Sequence, residues 1–82
     1  MRQDSEAPPR AAIDSLRGTL TMARILVETG RAIDLVGLEQ DAASICATVR
    51  LLPREEALAL RPLLLALLRD VTALAATLPE PR

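Results

Sequence analysis

The residue types that most often carry out catalysis are scarce in this chain. It contains no histidine and no tyrosine, and all ten of its basic residues are arginine. The only cysteine, Cys46, would need a cationic or basic neighbour to become a reactive thiolate. Without a histidine, the serines lack the base that usually activates a hydroxyl nucleophile. We therefore expect Cys46 to be a small, buried or half-buried apolar side chain and the chain not to be an enzyme.

Carboxylates alone can bind metals where their spacing brings several together. Glu55 and Glu56 are adjacent, and Glu39 and Asp41 are two residues apart, so neither pair shares one face of a helix. Hard cations need several converging oxygens, and one cysteine cannot build a zinc site. The three glycines are far apart and form no phosphate-binding loop. The sequence predicts no catalytic residue, no metal and no cofactor.

Composition limits the possible partners and compartment. The 82 residues are 50% apolar, contain no aromatic residue and carry a formal net charge of −1, which gives no electrostatic reason to expect nucleic acid. We attribute the use of arginine without lysine to nucleotide composition. The longest aliphatic run, Leu63 to Leu68, has six residues, whereas a membrane span needs about 20. A single thiol fits a reducing compartment, and we expect a cytoplasmic protein.

The elements of the fold follow from apolar residues that recur at alternating steps of three and four, the spacing of one helix face. These stripes predict helices near residues 10–29, 35–52 and 54–78. In chain order, the residues of the three stripes are Ile13, Leu16, Leu20, Ala23 and Val27; Leu38, Ala42, Ile45, Val49 and Leu52; and Ala57, Leu60, Leu64, Leu67, Val71, Leu74 and Leu78.

The ends of the chain and the helix boundaries complete this prediction. Residues 1–9 and 79–82 are polar and proline-containing, so we expect a mobile N-terminal tail, one helical domain over 10–78 and a C-terminal tail.

Gly30 suits a helix C-terminus and Asp34 an N-cap, and the short connection between them predicts an antiparallel hairpin. Pro62 falls inside the third helix, but the stripe keeps its phase across it. The predicted fold class is therefore all-α: a small three-helix bundle, an antiparallel hairpin plus a long third helix kinked at this proline.

The third helix carries more leucines than one buried stripe can use. The surplus residues are Leu58, Leu63, Leu65 and Leu68. A wide core could bury them, but so small a domain has limited capacity to do so. We predict that they form an apolar surface for a partner helix or for a second copy of the chain.

Two segments resemble the small helical export chaperones of the bacterial flagellar type III system. Residues 30–39 read Gly30-Arg31-Ala32-Ile33-Asp34-Leu35-Val36-Gly37-Leu38-Glu39, and residues 60–70 read Leu60-Arg61-Pro62-Leu63-Leu64-Leu65-Ala66-Leu67-Leu68-Arg69-Asp70. Those chaperones are cytoplasmic all-helical hairpins with a similar Leu-Arg-Pro step before a long leucine-rich helix, and they hold a subunit or regulator by its amphipathic helix. The resemblance covers residues 22–78 and implies that Leu63, Leu65 and Leu68 face the partner.

Two functions remain open at this point. The first is a non-enzymatic helical protein-binding module, a cytoplasmic chaperone or adaptor that holds an amphipathic helix of a flagellar or secretion partner. The alternative is a structural homodimer whose surplus leucines are covered by its own copy, with no separate ligand. In both cases the expected partner is a protein, with no nucleic acid and no membrane span.

Overall fold

The computed structural model describes residues 7–78, which form three α-helices and, within that range, no strand. Helix α1 spans Ala7–Glu28, α2 spans Leu35–Arg50 and α3 spans Arg54–Thr77. Each helix packs against the other two. The predicted small all-α three-helix bundle is confirmed.

Helix α1 begins earlier than its apolar stripe suggested. It starts at Ala7, so that Pro8 and Pro9 lie in its first turn. The first four N–H groups of a helix have no intrahelical acceptor, and proline therefore loses nothing by lacking one there. Residues 7–9, which the sequence pattern assigned to the tail, belong to the helix. The rest of that predicted tail, residues 1–6, and the predicted tail 79–82 lie outside the described residues.

The turn between α1 and α2 contains both predicted caps. Gly30 adopts a left-handed φ of 85°; its N–H donates to the Val27 carbonyl at 3.0 Å, and the Arg31 N–H donates to the Leu26 carbonyl at 2.8 Å. This is the Schellman arrangement that ends a helix. The Asp34 carboxylate then accepts the Gly37 N–H at 3.0 Å, which begins α2. The six residues 29–34 thus bring α2 back onto α1.

Prolines shape the second connection and α3. Helix α2 ends at Arg50, two residues before its predicted end, because Pro53 disfavours a helical Leu52. Helix α3 is continuous through Pro62, so the prediction of one helix instead of two is confirmed. Pro62 has no N–H for the Leu58 carbonyl, but both residues are exposed, and water can satisfy that carbonyl.

The hydrophobic core consists of the predicted stripes. Ile13, Leu60, Leu67 and Leu74 are at most 1% exposed, while Ile45 and Leu64 in the middle of their stripes are half-buried and pack at the core's edge. All ten buried aliphatic side chains belong to the three stripes: Ile13, Leu16, Leu20, Ala23, Ala42, Val49, Leu60, Leu67, Val71 and Leu74. The faces that form the bundle are therefore those that the 3–4 spacing selects.

Two leucines of α3 provide a matched test of this core. Leu67→Ala should lower the free energy of unfolding by about 2–5 kcal/mol, because a fully buried leucine leaves a cavity. Leu65→Ala should lower it by about 1 kcal/mol or less, since that side chain is 43% exposed. Urea denaturation of both variants measures the difference. Equal losses would show that α3 buries a different face.

Replacing Gly18 or Gly30 by alanine should change the free energy of unfolding in opposite directions. At Gly18, inside α1, an added Cβ meets no atom within 4 Å, so alanine should stabilise the protein by about 0.5–1 kcal/mol through helix propensity. At Gly30 the left-handed φ should make alanine destabilising by about 1 kcal/mol. Thermal melts of the two variants should show a higher unfolding midpoint for Gly18→Ala and a lower one for Gly30→Ala than for the unsubstituted chain. A stabilising Gly30→Ala would contradict the Schellman turn.

Candidate protein-interaction surface

Three leucines form an apolar strip on the outer side of α3, here called the leucine face. Leu58, Leu65 and Leu68 are 50%, 43% and 40% exposed. Leu65 and Leu68 are three residues apart and are neighbours on the helix surface, while Leu58 lies on the same side about two turns before Leu65. At about 100° per residue, Leu65 points roughly 160° away from the buried Leu67. The leucine face is thus separate from the core stripe of the same helix.

The fourth predicted residue, Leu63, does not lie with the other three. It is half-buried and packs against the core cluster. Its position, three residues after Leu60 and four before Leu67, places it on the core side of α3. The structure therefore brings Leu58, Leu65 and Leu68 together and leaves Leu63 apart from them.

Arginines flank the leucine face along α3. Arg54 lies four residues before Leu58, Arg61 lies between Leu58 and Leu65, and Arg69 lies four residues after Leu65. All three are exposed, and none of them forms an ion pair within residues 7–78. Residues three or four apart are neighbours on a helix, so each of these arginines neighbours at least one leucine of the face.

The ion pair between α1 and α3 lies on a different side of the bundle. Arg17 Nε and Asp70 Oδ2 are 2.7 Å apart, and both side chains are partly exposed. A pair this exposed contributes on the order of 1 kcal/mol or less. It involves none of the three arginines beside the leucine face.

A groove between α2 and α3 adjoins the leucine face at Leu68. Its volume is about 460 Å³, and Leu68 forms part of its wall. The α2 side is built from small side chains, with a charged residue toward each end: Ala43, Cys46, Ala47, Glu39 and Arg50. Because these side chains are short, space remains beside Leu68 for side chains of another molecule. Cys46 is half-buried here, as predicted.

A second apolar groove lies between α1 and the start of α2. Met22 and Leu26, which are 59% and 37% exposed, line it together with Leu38, and its volume is about 470 Å³. Asp34 and Asp41 stand among its lining residues. This groove therefore carries acidic groups, in contrast to the arginines around the leucine face.

The described residues were compared with the requirements of a metal site and of a membrane span. No three cysteine or carboxylate side chains within residues 7–78 lie close enough to hold a metal ion. No polar or charged side chain in that range is buried. In the same part of the chain, none of the three helices combines the length and hydropathy needed to cross a membrane.

Comparison of the chain with protein-family models, curated proteins and solved structures finds no match.

Sequence reasoning missed two parts of this surface. Nucleotide composition explains the use of arginine without lysine but not its placement: Arg61 stands three residues after Leu58 and four before Leu65, which is the spacing of a shared face. The small residues Ala43 and Ala47 gave no signal, because alanine occurs on buried and exposed helix faces alike. Only the packing of α2 beside α3 shows that they line a groove.

Charge substitution separates a surface leucine from a core leucine. The double change Leu65→Glu with Leu68→Glu should leave the helix content and cooperative unfolding intact, because both carboxylates can reach water. Leu67→Glu should unfold the protein, since burying an unpaired carboxylate costs several kcal/mol. Circular dichroism of the two variants measures this difference. Loss of helix in the double variant would assign its leucines to the core.

Proposed function

We propose that this chain is a non-enzymatic protein-binding module that holds an amphipathic helix of another protein against the leucine face. One observation carries the proposal. Helix α3 buries Leu60, Leu67, Val71 and Leu74 within the bundle and still exposes Leu65 and Leu68 as neighbours, with Leu58 about two turns before Leu65 on the same side. Adjacent exposed leucines keep apolar area in water, which is the usual property of a surface that binds another protein.

The shape of the surface suits a helical partner. A helix laid along α3 would cover the leucine face, and its own apolar side chains would enter the groove beside Leu68. About half of each leucine side chain remains to be covered, which corresponds to roughly 1 kcal/mol of hydrophobic free energy per residue. Such a surface binds reversibly, as a chaperone or adaptor that later releases its partner requires.

The resemblance of residues 22–78 to flagellar type III export chaperones supports a more specific form of this proposal. In that form the chain is a bacterial cytoplasmic chaperone or adaptor, and its partner is a flagellar or secretion subunit or a regulator. Leu65 and Leu68 are then the partner-facing residues that both the resemblance and their exposure favour. Leu63 packs on the core side, so in this proposal it stabilises α3 and does not contact the partner.

The partner should depend on the leucine face and on no other apolar surface. Affinity capture from cells that express the chain naturally should recover a protein that Leu65→Glu with Leu68→Glu fails to recover. The matched control is Met22→Glu with Ile25→Glu, which changes two exposed apolar residues of α1 and should still recover it. The captured protein's amphipathic helix, as a purified peptide, should bind the unsubstituted chain.

Sedimentation equilibrium completes this test. We expect the purified chain to be a monomer at micromolar concentration. A dimer that the double glutamate variant disrupts would instead assign the leucine face to self-association. Capture that is unchanged by the double variant would contradict the proposal itself.

A further inference from the structure

The charges around the leucine face differ from those of the chain as a whole. The chain has eleven acidic and ten basic residues and a net charge of −1. Along the outer side of α3, however, the exposed charged residues are Arg54, Arg61 and Arg69 with a single glutamate, Glu55. Arg50 adds a further exposed guanidinium at one end of the adjoining groove, which has Glu39 toward its other end. The leucine face is therefore locally basic in an overall acidic chain.

The arginines are placed to touch whatever covers the leucines. Arg61 and Arg69 each lie four residues from Leu65, one on either side along the helix. Neither forms an ion pair within residues 7–78. A helix that covers Leu65 must therefore pass between two arginines that have no carboxylate partner among residues 7–78.

We infer that the partner is an amphipathic helix with carboxylates flanking its apolar stripe, an inference that rests on the proposed function and adds its chemical class. Arginine pairs with carboxylates in a bidentate manner that fixes position as well as charge. Such pairs set the register and orientation of the bound helix, and they disfavour partners with basic flanks. The leucines supply the apolar contact, and the arginines select the acidic partner.

A second copy of the chain fits this surface poorly. In a twofold interface the same surface of both copies meets, so that residue i of one copy contacts residue j of the other and j contacts i. If the two α3 helices ran parallel, Arg61 would face Arg61 of the other copy. If they ran antiparallel about Leu65, Arg61 would face Arg69 of the other copy. Both arrangements bring like charges together over the leucine face, which opposes dimerisation through it.

Nucleic acid is also a poor fit, although arginine binds phosphate. Exposed leucines alternate with the arginines, so a phosphate backbone laid along the arginines would run over apolar side chains. The chain has no aromatic residue on which unpaired bases could stack. The surface is better matched by a molecule that is both apolar and acidic.

Two synthetic peptides test the inference directly. Both are about 18 residues, or five helical turns, with leucine at the a and d positions of each heptad. They differ only in the flanking residues, which are glutamate in one and lysine in the other. Fluorescence anisotropy should show the glutamate peptide binding about tenfold more tightly at low salt, with the difference shrinking as salt screens the charges.

A charge-reversed variant shows whether these arginines cause the preference. Arg61→Glu with Arg69→Glu should reverse it, so that the lysine peptide binds more tightly. The matched control is Arg24→Glu with Arg31→Glu, which makes the same change in net charge away from the leucine face and should keep the original preference. Circular dichroism confirms that both variants are folded.

The remaining outcomes separate this inference from the proposed function. Equal binding of both peptides, abolished by Leu65→Glu with Leu68→Glu, would overturn the acidic partner but leave the leucine face as a docking surface. Binding of neither peptide would overturn the inference, and the capture experiment would still decide the proposed function. Dimerisation through the leucine face, or tight binding of a labelled DNA duplex that Arg61→Glu with Arg69→Glu abolishes, would assign the surface to a different partner.

Discussion

The structure depends on a row of three leucines in α3 that are spaced seven residues apart. Leu60, Leu67 and Leu74 are seven residues apart and at most 1% exposed. Their burial fixes the rotation of α3 about its own axis, and Leu67 and Leu74 share one core cluster with side chains of α1 and α2. With no aromatic residue in the chain, few other side chains could bury comparable area. The rest of the architecture follows from satisfying this one stripe.

The same constraint explains why the leucine face is left outside. If α3 were rotated to bury Leu58 and Leu65, it would also carry Arg54, Arg61 and Arg69 inward, because these are their helical neighbours. Burying unpaired guanidinium groups is far more costly than exposing part of three leucines. The arginines thus act against an alternative packing of α3, and the exposed leucines become available to another molecule. Fold specificity and the proposed binding surface have a common physical origin.

Much of this fold can be read from the sequence, because the helices are amphipathic and their caps are local. The 3–4 spacing predicts every buried aliphatic side chain, and Gly30 and Asp34 mark the first turn. The errors lie at the helix ends. Prolines at the start of α1 resembled a tail, and Pro53 ends α2 before its apolar stripe does. Boundaries of this kind depend on one or two residues, so spacing over a long window does not locate them.

The candidate surface is less predictable than the fold. The sequence predicts correctly that Leu58, Leu65 and Leu68 are surplus to the core. The same prediction is wrong for Leu63, whose spacing from Leu60 and Leu67 matches the core side. The half-burial of Ile45 also depends on how closely neighbouring helices approach, which short-range spacing does not encode. The groove beside α2 requires two helices in contact and is a property of packing alone. Sequence patterns identify faces, and packing decides which of them remain open.

The central claim is that α3 carries two separate leucine populations, one buried and one open to solvent. Methyl-labelled leucine NMR with a soluble paramagnetic gadolinium chelate measures this residue by residue in the intact chain. The account predicts strong relaxation enhancement at the methyl groups of Leu58, Leu65 and Leu68, and almost none at those of Leu60, Leu67 and Leu74. Equal protection of both sets would contradict it, because the leucine face would then already be covered in the isolated protein.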